Sequence, residues 1–309
     1  MGVLKGELSR SAQLAMRSNA TAEEGGEDMG PTPEESARRR PAPGNNGAAD
    51  DIQMPNLGSW LRQFREDRRL TRPQAAARTD ISYAYIIKIE NGYVPARDMI
   101  ERLIAAYGMG PKEARHTQEL WEPPAVLPSL SELREQVNTA SRNEALVRMD
   151  RIGMICVYTD PLWNVLSANE SFYRALPGLA EANDNVAMWF FQALKNSRPA
   201  TSVTLEWEKE ARFHVAILRG AFGLYRTSPR ARELFDHLKR DRDFRRIWNS
   251  GLNVAYARQP NELAHLRDPA TGEPYSISID ISELADTRDI RVCQAFRQPH
   301  TWPIESPRY

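Results

Sequence analysis

Between Leu57 and Tyr107 the chain carries so many helix start and stop signals that it has room only for short helices. Leu57, Trp60, Leu61 and Phe64 recur at i, i+3, i+4 and i+7, one face of a helix, while Arg62, Arg65, Arg68 and Arg69 occupy the rest. Thr71-Arg72-Pro73-Gln74 then reads as a capping box. The threonine hydroxyl accepts from the Gln74 amide, the glutamine side chain reaches back, and Pro73 sits in the first turn, where a missing N–H costs little. The helix so opened runs to about Arg78. After Asp80-Ile81, Ser82 is a second N-cap and Gly92 a stop. In the helix between them Ile81, Tyr85, Ile86 and Ile89 face inward, and Tyr83, Ala84, Ile87, Lys88 and Asn91 face outward. Pro95 precedes a fourth amphipathic segment with Met99, Ile100, Leu103, Ile104 and Tyr107 on its buried side.

Charge separates this module from its surroundings. The whole chain is neutral, with 41 Lys+Arg against 41 Asp+Glu. Residues 1–54 hold 6 basic and 9 acidic side chains, residues 55–110 hold 9 and 6, and the remainder is balanced. The first segment is rich in Gly, Pro, Ala and Asn and poor in aromatic and β-branched residues, so it reads as a disordered tail. Its Arg38-Arg39-Arg40 triplet sits in an acidic context, which favours a solvated tail over a phosphate contact. No apolar run is long enough for a membrane span, and Met1 to Asn19 lacks a secretory signal, so a cytoplasmic location is expected. Cys156 and Cys293 are too few for a disulfide framework, and no Cys/His cluster has metal-ligand spacing.

Two short helices joined by a tight turn, packed on flanking helices and carrying excess positive charge, form the pattern of a helix-turn-helix, whose second helix fits the major groove. Leu70-Thr71-Arg72-Pro73-Gln74-Ala75-Ala76, followed by Ile81-Ser82-Tyr83-Ala84-Tyr85-Ile86-Ile87-Lys88-Ile89-Glu90-Asn91-Gly92, resembles the core of the Xre/Cro-type repressors. The resemblance implies a lambda-repressor-like fold over residues 55–110 and a double-stranded DNA operator as partner. It places Arg72 close to DNA and Tyr83, Ala84 and Lys88 on the base-reading face. Lys88 suits guanine O6 or N7, Ala84 a thymine methyl and Tyr83 a sugar or phosphate. Ser82, Asn91 and Arg62 suit positioning contacts to the backbone. Asp80 stands where that family usually has glycine, and Ala75 where it usually has leucine.

Residues 111–130, with Pro123-Pro124 and Pro128, read as a linker. A helical stretch then runs from Ser131 to about Met149, and 153–166 reads as a hairpin turning at Asp160-Pro161. Helices are expected near 168–176, 185–195, 202–225 and 229–248, and strands at 252–257, 262–267, 274–281 and 290–296. This describes an α+β domain with an antiparallel sheet over 131–299, followed by a short tail at 300–309. Asp160-Pro161-Leu162-Trp163-Asn164, Phe244-Arg245-Arg246-Ile247-Trp248 and Asp268-Pro269-Ala270-Thr271-Gly272 together resemble the MmyB-like ligand-binding domain that follows an Xre-type module in many regulators. The resemblance implies a PAS-like fold with an apolar pocket for a fatty-acid-like effector. Asp268 departs from it, since the family usually has histidine there, and the segment after Trp248 lacks the usual histidine.

From composition alone the domain is aromatic-rich, and such side chains build both cores and apolar pockets. Trp163, Trp189, Phe190 and Trp207 are the pocket candidates as a group. No catalytic residue, cofactor or metal is expected: the five histidines are scattered, and no nucleophile or phosphate-loop signature occurs. Glu206, Glu208 and Glu210, spaced by two, spread around their helix and read as a solvated face. If the domain is PAS-like, Cys156 and Cys293 lie on neighbouring strands, which raises a redox pair beside the commoner buried-thiol role. The expected protein is a homodimeric, ligand-controlled DNA-binding regulator. The alternative is an interaction protein whose helical module docks a protein partner.

Overall fold

A computed structural model describes residues 52–192, 198–259, 261–284 and 287–300. The tail expected at the N-terminus lies, up to residue 51, outside the described residues, as do residues 301–309. The described residues all belong to one unit, Asp50–Tyr309.

Five helices form the first domain: α1 (Leu57–Asp67), α2 (Arg72–Thr79), α3 (Tyr83–Glu90), α4 (Arg97–Ala106) and α5 (Pro111–Trp121). Each boundary of the motif has a chemical cause. The Asn56 side chain accepts from Ser59 N at 2.9 Å at the start of α1. Thr71 and Gln74 close the capping box of α2, and Ser82 accepts from Tyr85 N to open α3. Asp80 ends α2 at φ 54°, so aspartate takes the left-handed position usually given to glycine. Leu61, Phe64, Ala75, Ile86, Ile89, Ile100 and Leu103 form the shared core.

Arg65, expected on the solvent side of α1, is instead buried. Its guanidinium donates to Glu90 Oε1 at 2.6 Å and to Leu70 O at 2.7 Å. Glu90, whose side chain is 1% exposed, also accepts from Arg72 Nε at 2.8 Å. Periodicity within α1 leaves Arg65 at the edge of the apolar stripe, and only the arrival of Glu90 from α3 decides which way it turns.

The stretch expected to be a linker opens with α5, which joins the domains. Trp60 Nε1 donates to Thr117 Oγ1 at 2.8 Å, and His116 meets the Trp60 ring edge-on at 4.7 Å.

The second domain begins with α6 (Leu130–Val137) and α7 (Ala140–Arg151). The single helix expected there divides at Asn138-Thr139, where Thr139 caps the next helix. β1 (Ile155–Thr159), β2 (Val165–Ala168), β3 (Leu263–Arg267), β4 (Pro274–Glu283) and β5 (Arg291–Gln298) form one antiparallel sheet in the order β2-β1-β5-β4-β3. Between β2 and β3 run α8 (Glu170–Ala175), α9 (Val186–Phe191), α10 (Pro199–Val203), α11 (Trp207–Leu224), α12 (Pro229–Leu238) and α13 (Arg242–Asn249). The two-domain fold is therefore a helical helix-turn-helix domain followed by an α+β domain with a five-stranded antiparallel sheet.

The strand expected at 252–257 does not form. Ala255 N donates to Ala216 O of α11 at 3.1 Å, so this backbone finds its partner on a helix instead of a sheet. Leu252 packs into the core of the first domain and Tyr256 OH donates to Glu119 Oε2 of α5. At the C-terminal end of α5, Arg226 donates to the carbonyls of Glu119 and Glu122. A Cβ on Gly223 of α11 would stand 2.4 Å from His116 Cε1, so glycine is what lets α5 and α11 approach.

Gly58 occupies an equally close crossing, where an added Cβ would stand 2.7 Å from Glu90 O and 2.8 Å from Ile89 O. Gly58→Ala should therefore destabilise the chain by about 1–3 kcal/mol in urea unfolding, because both opposing atoms are backbone and cannot rotate away.

Candidate DNA-facing surface and ligand cavity

The outward face of α3 carries Tyr83, Ala84 and Lys88, all exposed, with Ser82 at its N-cap and Asn91 at its C-cap also exposed. Ala84, Lys88 and Asn91, at spacings of four and seven, share one side of the helix, and Tyr83 directly precedes Ala84. The two arginines expected to join them are placed differently. Arg72 is held through Nε by Glu90, and Arg62 is half-buried, its terminal nitrogen 3.4 Å from Glu90 O. Both therefore brace the C-terminal end of α3. Burial pushes the Glu90 carboxyl up, but the hydrogen bonds from Arg65 and Arg72 together hold it below the usual carboxylate range.

The α+β domain carries a half-open apolar cavity of about 130 Å³ between the sheet and helices α8 to α11. Ile155 and Val157 of β1, Ile277 and Ile279 of β4, and Cys293 and Ala295 of β5 form its floor; Phe172, Trp189, Phe190, Phe213 and His214 form its roof. Trp163 enters from the turn between β1 and β2. That turn explains the Asp160 to Asn164 motif. The buried Asp160 carboxylate accepts from Leu162 N, Asn164 N and Asn164 Nδ2, and Asn185 Nδ2 donates to Leu162 O. These bonds hold Trp163 at φ 66°, a left-handed conformation that costs a bulky residue roughly 1–2 kcal/mol and that aims its ring into the cavity.

Of the four pocket candidates, Trp163, Trp189 and Phe190 line the cavity, whereas Trp207 stands behind it, stacked on Phe190 with ring centroids 5.6 Å apart. Glu210, His214 and Arg258 also reach the wall, and sequence reasoning passed over them as wall groups. Glu208 is paired with Arg246 on the surface, but Glu210 turns inward and pairs with Arg258, so the acidic run is not a uniformly solvated face. A signal existed: Glu210, His214, Ile217 and Ala221 recur at helical spacing and all are buried. Burial drives the His214 imidazole down to about 3, with Arg258 adding repulsion, so the ring is neutral at physiological pH.

Cys156 and Cys293 do lie on adjacent strands, because β1 pairs with β5. Val157 stands opposite Cys293, however, and Cys156 opposite Gln294. The two thiols therefore point to opposite faces of the sheet, Cys156 among Leu133 and Val137 and Cys293 in the cavity wall. Burial pushes them up to about 11 and about 12, far from a reactive thiolate. The redox pair is excluded by register.

A small helical module with an exposed second helix, followed by a sheet domain with an apolar cavity, defines a helix-turn-helix protein with a ligand-binding domain. Residues 56–117 match a helix-turn-helix domain, and residues 149–299 match the MmyB-like transcription regulator ligand binding domain. The two matched domains together are those of a helix-turn-helix transcription regulator with an MmyB-like ligand-binding domain. No match was found among curated proteins. Among the described residues, no helix is long and apolar enough to cross a membrane and no acidic, histidine or cysteine cluster is placed to hold a metal.

Both His116 and His214 are buried and driven down to about 3 from an ordinary 6.5. The unfolded chain binds these protons near pH 6.5 and the folded chain only near pH 3. Their contribution is complete above the upper value and is lost as pH falls toward the lower one, by roughly 1.4 kcal/mol per pH unit for each histidine. Urea unfolding at pH 7.5 and 5.5 should show this loss, and His214→Leu should remove one histidine's share of it.

Proposed function

We propose that the chain is an Xre/Cro-type regulator that binds a pseudo-palindromic operator in the cytoplasm as a homodimer, under the control of an apolar effector. The observation that carries this is the exposed Tyr83, Ala84 and Lys88 face on a helix whose opposite side is locked into the core. Two copies would place their α3 helices in major grooves about one helical turn apart. Lys88 reads a guanine edge, Ala84 a thymine methyl, and Tyr83 a sugar or phosphate. Ser82 and Asn91 set the orientation, while Arg62 and Arg72 act mainly by holding α3 in place. With only three excess positive charges over residues 55–110, nonspecific binding by one copy is weak, and dimerisation supplies the remaining affinity.

The effector is fatty-acid-like in build, with an apolar body and one polar head, and it occupies the cavity beneath Trp163. Helix α11 supplies a route from there to DNA. His214 faces the cavity, and Gly223, about nine residues and roughly 13 Å further along, carries His116 of α5. Helix α5 in turn holds Trp60 of α1. A ligand that favours one position of α11 thereby favours one placement of the DNA-facing helices; a ligand indifferent to that position changes nothing.

A salt-titrated gel shift against genomic fragments tests DNA binding. Steep loss of affinity with salt is expected from counterion release, and a salt-insensitive or absent shift would favour the protein-docking alternative. Lys88→Ala should cost about 1–3 kcal/mol on the selected site while sparing random duplex, so that base preference relaxes. Ala264→Leu, which adds carbons in the cavity wall, should abolish the effector's influence on DNA affinity and leave effector-free binding intact, as measured by the same titration.

A further inference from the structure

Four titratable groups stand in the described wall of the cavity: Glu210 and His214 one turn apart on α11, Arg258 of the segment after α13, and Cys293 on β5. Both Glu210 carboxylate oxygens accept from the Arg258 guanidinium, and both side chains are buried. Burial keeps the Cys293 thiol protonated and the His214 imidazole neutral. The charges of the described wall therefore sum to zero. Apart from Thr204, its remaining side chains are aliphatic or aromatic.

Hydrogen-bonding capacity is left over at the same place. Arg258 Nε, Trp163 Nε1 and His214 Nδ1 are buried and find no partner among the described residues. The Trp163 and His214 rings meet at 5.3 Å, the Phe213 ring lies 6.0 Å from that of His214, and the Arg258 guanidinium carbon sits 4.2 Å over Phe213. Arg258 Nε and Trp163 Nε1 can only donate, whereas a neutral imidazole keeps one acceptor nitrogen. With Nδ1 as that acceptor, the wall offers two donors and one acceptor. A carboxyl group carrying its proton is the complement, since its oxygens accept and its O–H donates. Each buried nitrogen left without a partner is costly, and such a head would remove that cost.

Charge sets the second condition. In water an aliphatic carboxyl is ionised above about pH 5. Entering as a bare anion, it would put two carboxylates on one guanidinium in a largely apolar wall, with no second described cation to balance them. Two carboxylates that share a site retain a proton there.

We propose that the effector's carboxyl head is bound together with one proton, its oxygens accepting from Arg258 Nε and Trp163 Nε1 and the proton held between the head and His214 Nδ1. This rests on the assignment of the cavity as the effector site. The proton comes from solvent on binding and returns to it on release. Held on the carboxyl oxygen or on the ring nitrogen, it brings the same charge, so the loaded wall stays neutral. Because the free ligand is an anion above about pH 5 and the bound form carries the proton, affinity falls as pH rises.

The test is titration calorimetry of octanoate on the full chain at pH 6, 7 and 8, in phosphate and in Tris, with toluene as an uncharged probe of the cavity. Octanoate affinity should fall by about tenfold per pH unit, and the difference in heat between the buffers should report uptake of about one proton per ligand. Toluene affinity should not change with pH. Glu210→Gln leaves Arg258 as an uncompensated cation, so octanoate should bind it as the anion, with the pH slope flattened and the proton uptake lost. A flat octanoate profile without proton uptake in the unaltered chain, or a slope that persists unchanged in Glu210→Gln, would overturn the shared proton and leave the cavity as effector site. Binding of toluene without octanoate would overturn the carboxyl head. Failure of both ligands at every pH would overturn the site itself. The profile of the unaltered chain decides even if the variant fails to fold.

Discussion

Everything about the first domain turns on one buried carboxylate. Glu90 ends α3 with its side chain 1% exposed, gripped by Arg65 from α1 and by Arg72 from α2. A lone buried carboxylate would be too costly to keep, so all three helices must be in place together before any one is well placed. Replacing such a pair by apolar residues often costs no stability, and the value of the pair lies in register. Glu90 cannot slide along α1 without losing Arg65, and Gly58 admits the α3 carbonyls at only that crossing. The outward face of α3 is thus aimed by contacts made on its inward face.

The two domains of this helix-turn-helix regulator share a helix where the sequence suggests a joint. Helix α5 gives Thr117 to Trp60 on one side and receives Arg226 and Tyr256 on the other, with His116 filling the notch left by Gly223. A connector of that kind is stiff. A displacement of α11 at the cavity, as proposed for effector binding, would therefore move a packed body, because interiors packed at crystal density move in discrete steps. The cavity uses the same helix, whose inward stripe alternates a charge, an imidazole and aliphatic side chains.

Local signals were legible wherever a short-range hydrogen bond or an apolar period fixed the outcome. The Thr71 and Ser82 caps, the amphipathic stripe of α1 and the β1–β2 hairpin follow from residues within a turn or a strand of one another, whereas the adjacency of the first and last strands was implied only by the family resemblance. Arg65 and Glu210 were misread for one reason. Each is a charge at the edge of a buried stripe, and its partner lies 25 or 48 residues away. Residues 252–257 have the composition of a strand, but the available backbone partner was α11, and composition carries no information about which partner arrives.

The sequence by itself determined the helix-turn-helix, because caps, breaks and a 3.6-residue period are properties of consecutive residues. It also determined that an aromatic-rich antiparallel-sheet domain follows. Only the tertiary structure decided that Arg72 and Arg62 brace α3, that Trp207 stands outside the cavity, and that Cys156 and Cys293 face opposite ways. Strand register settles the last of these, since one residue of offset moves a side chain to the other face of the sheet. The charge state of the cavity wall was likewise decided by packing, because a carboxylate is solvated or ion-paired according to what folds against it.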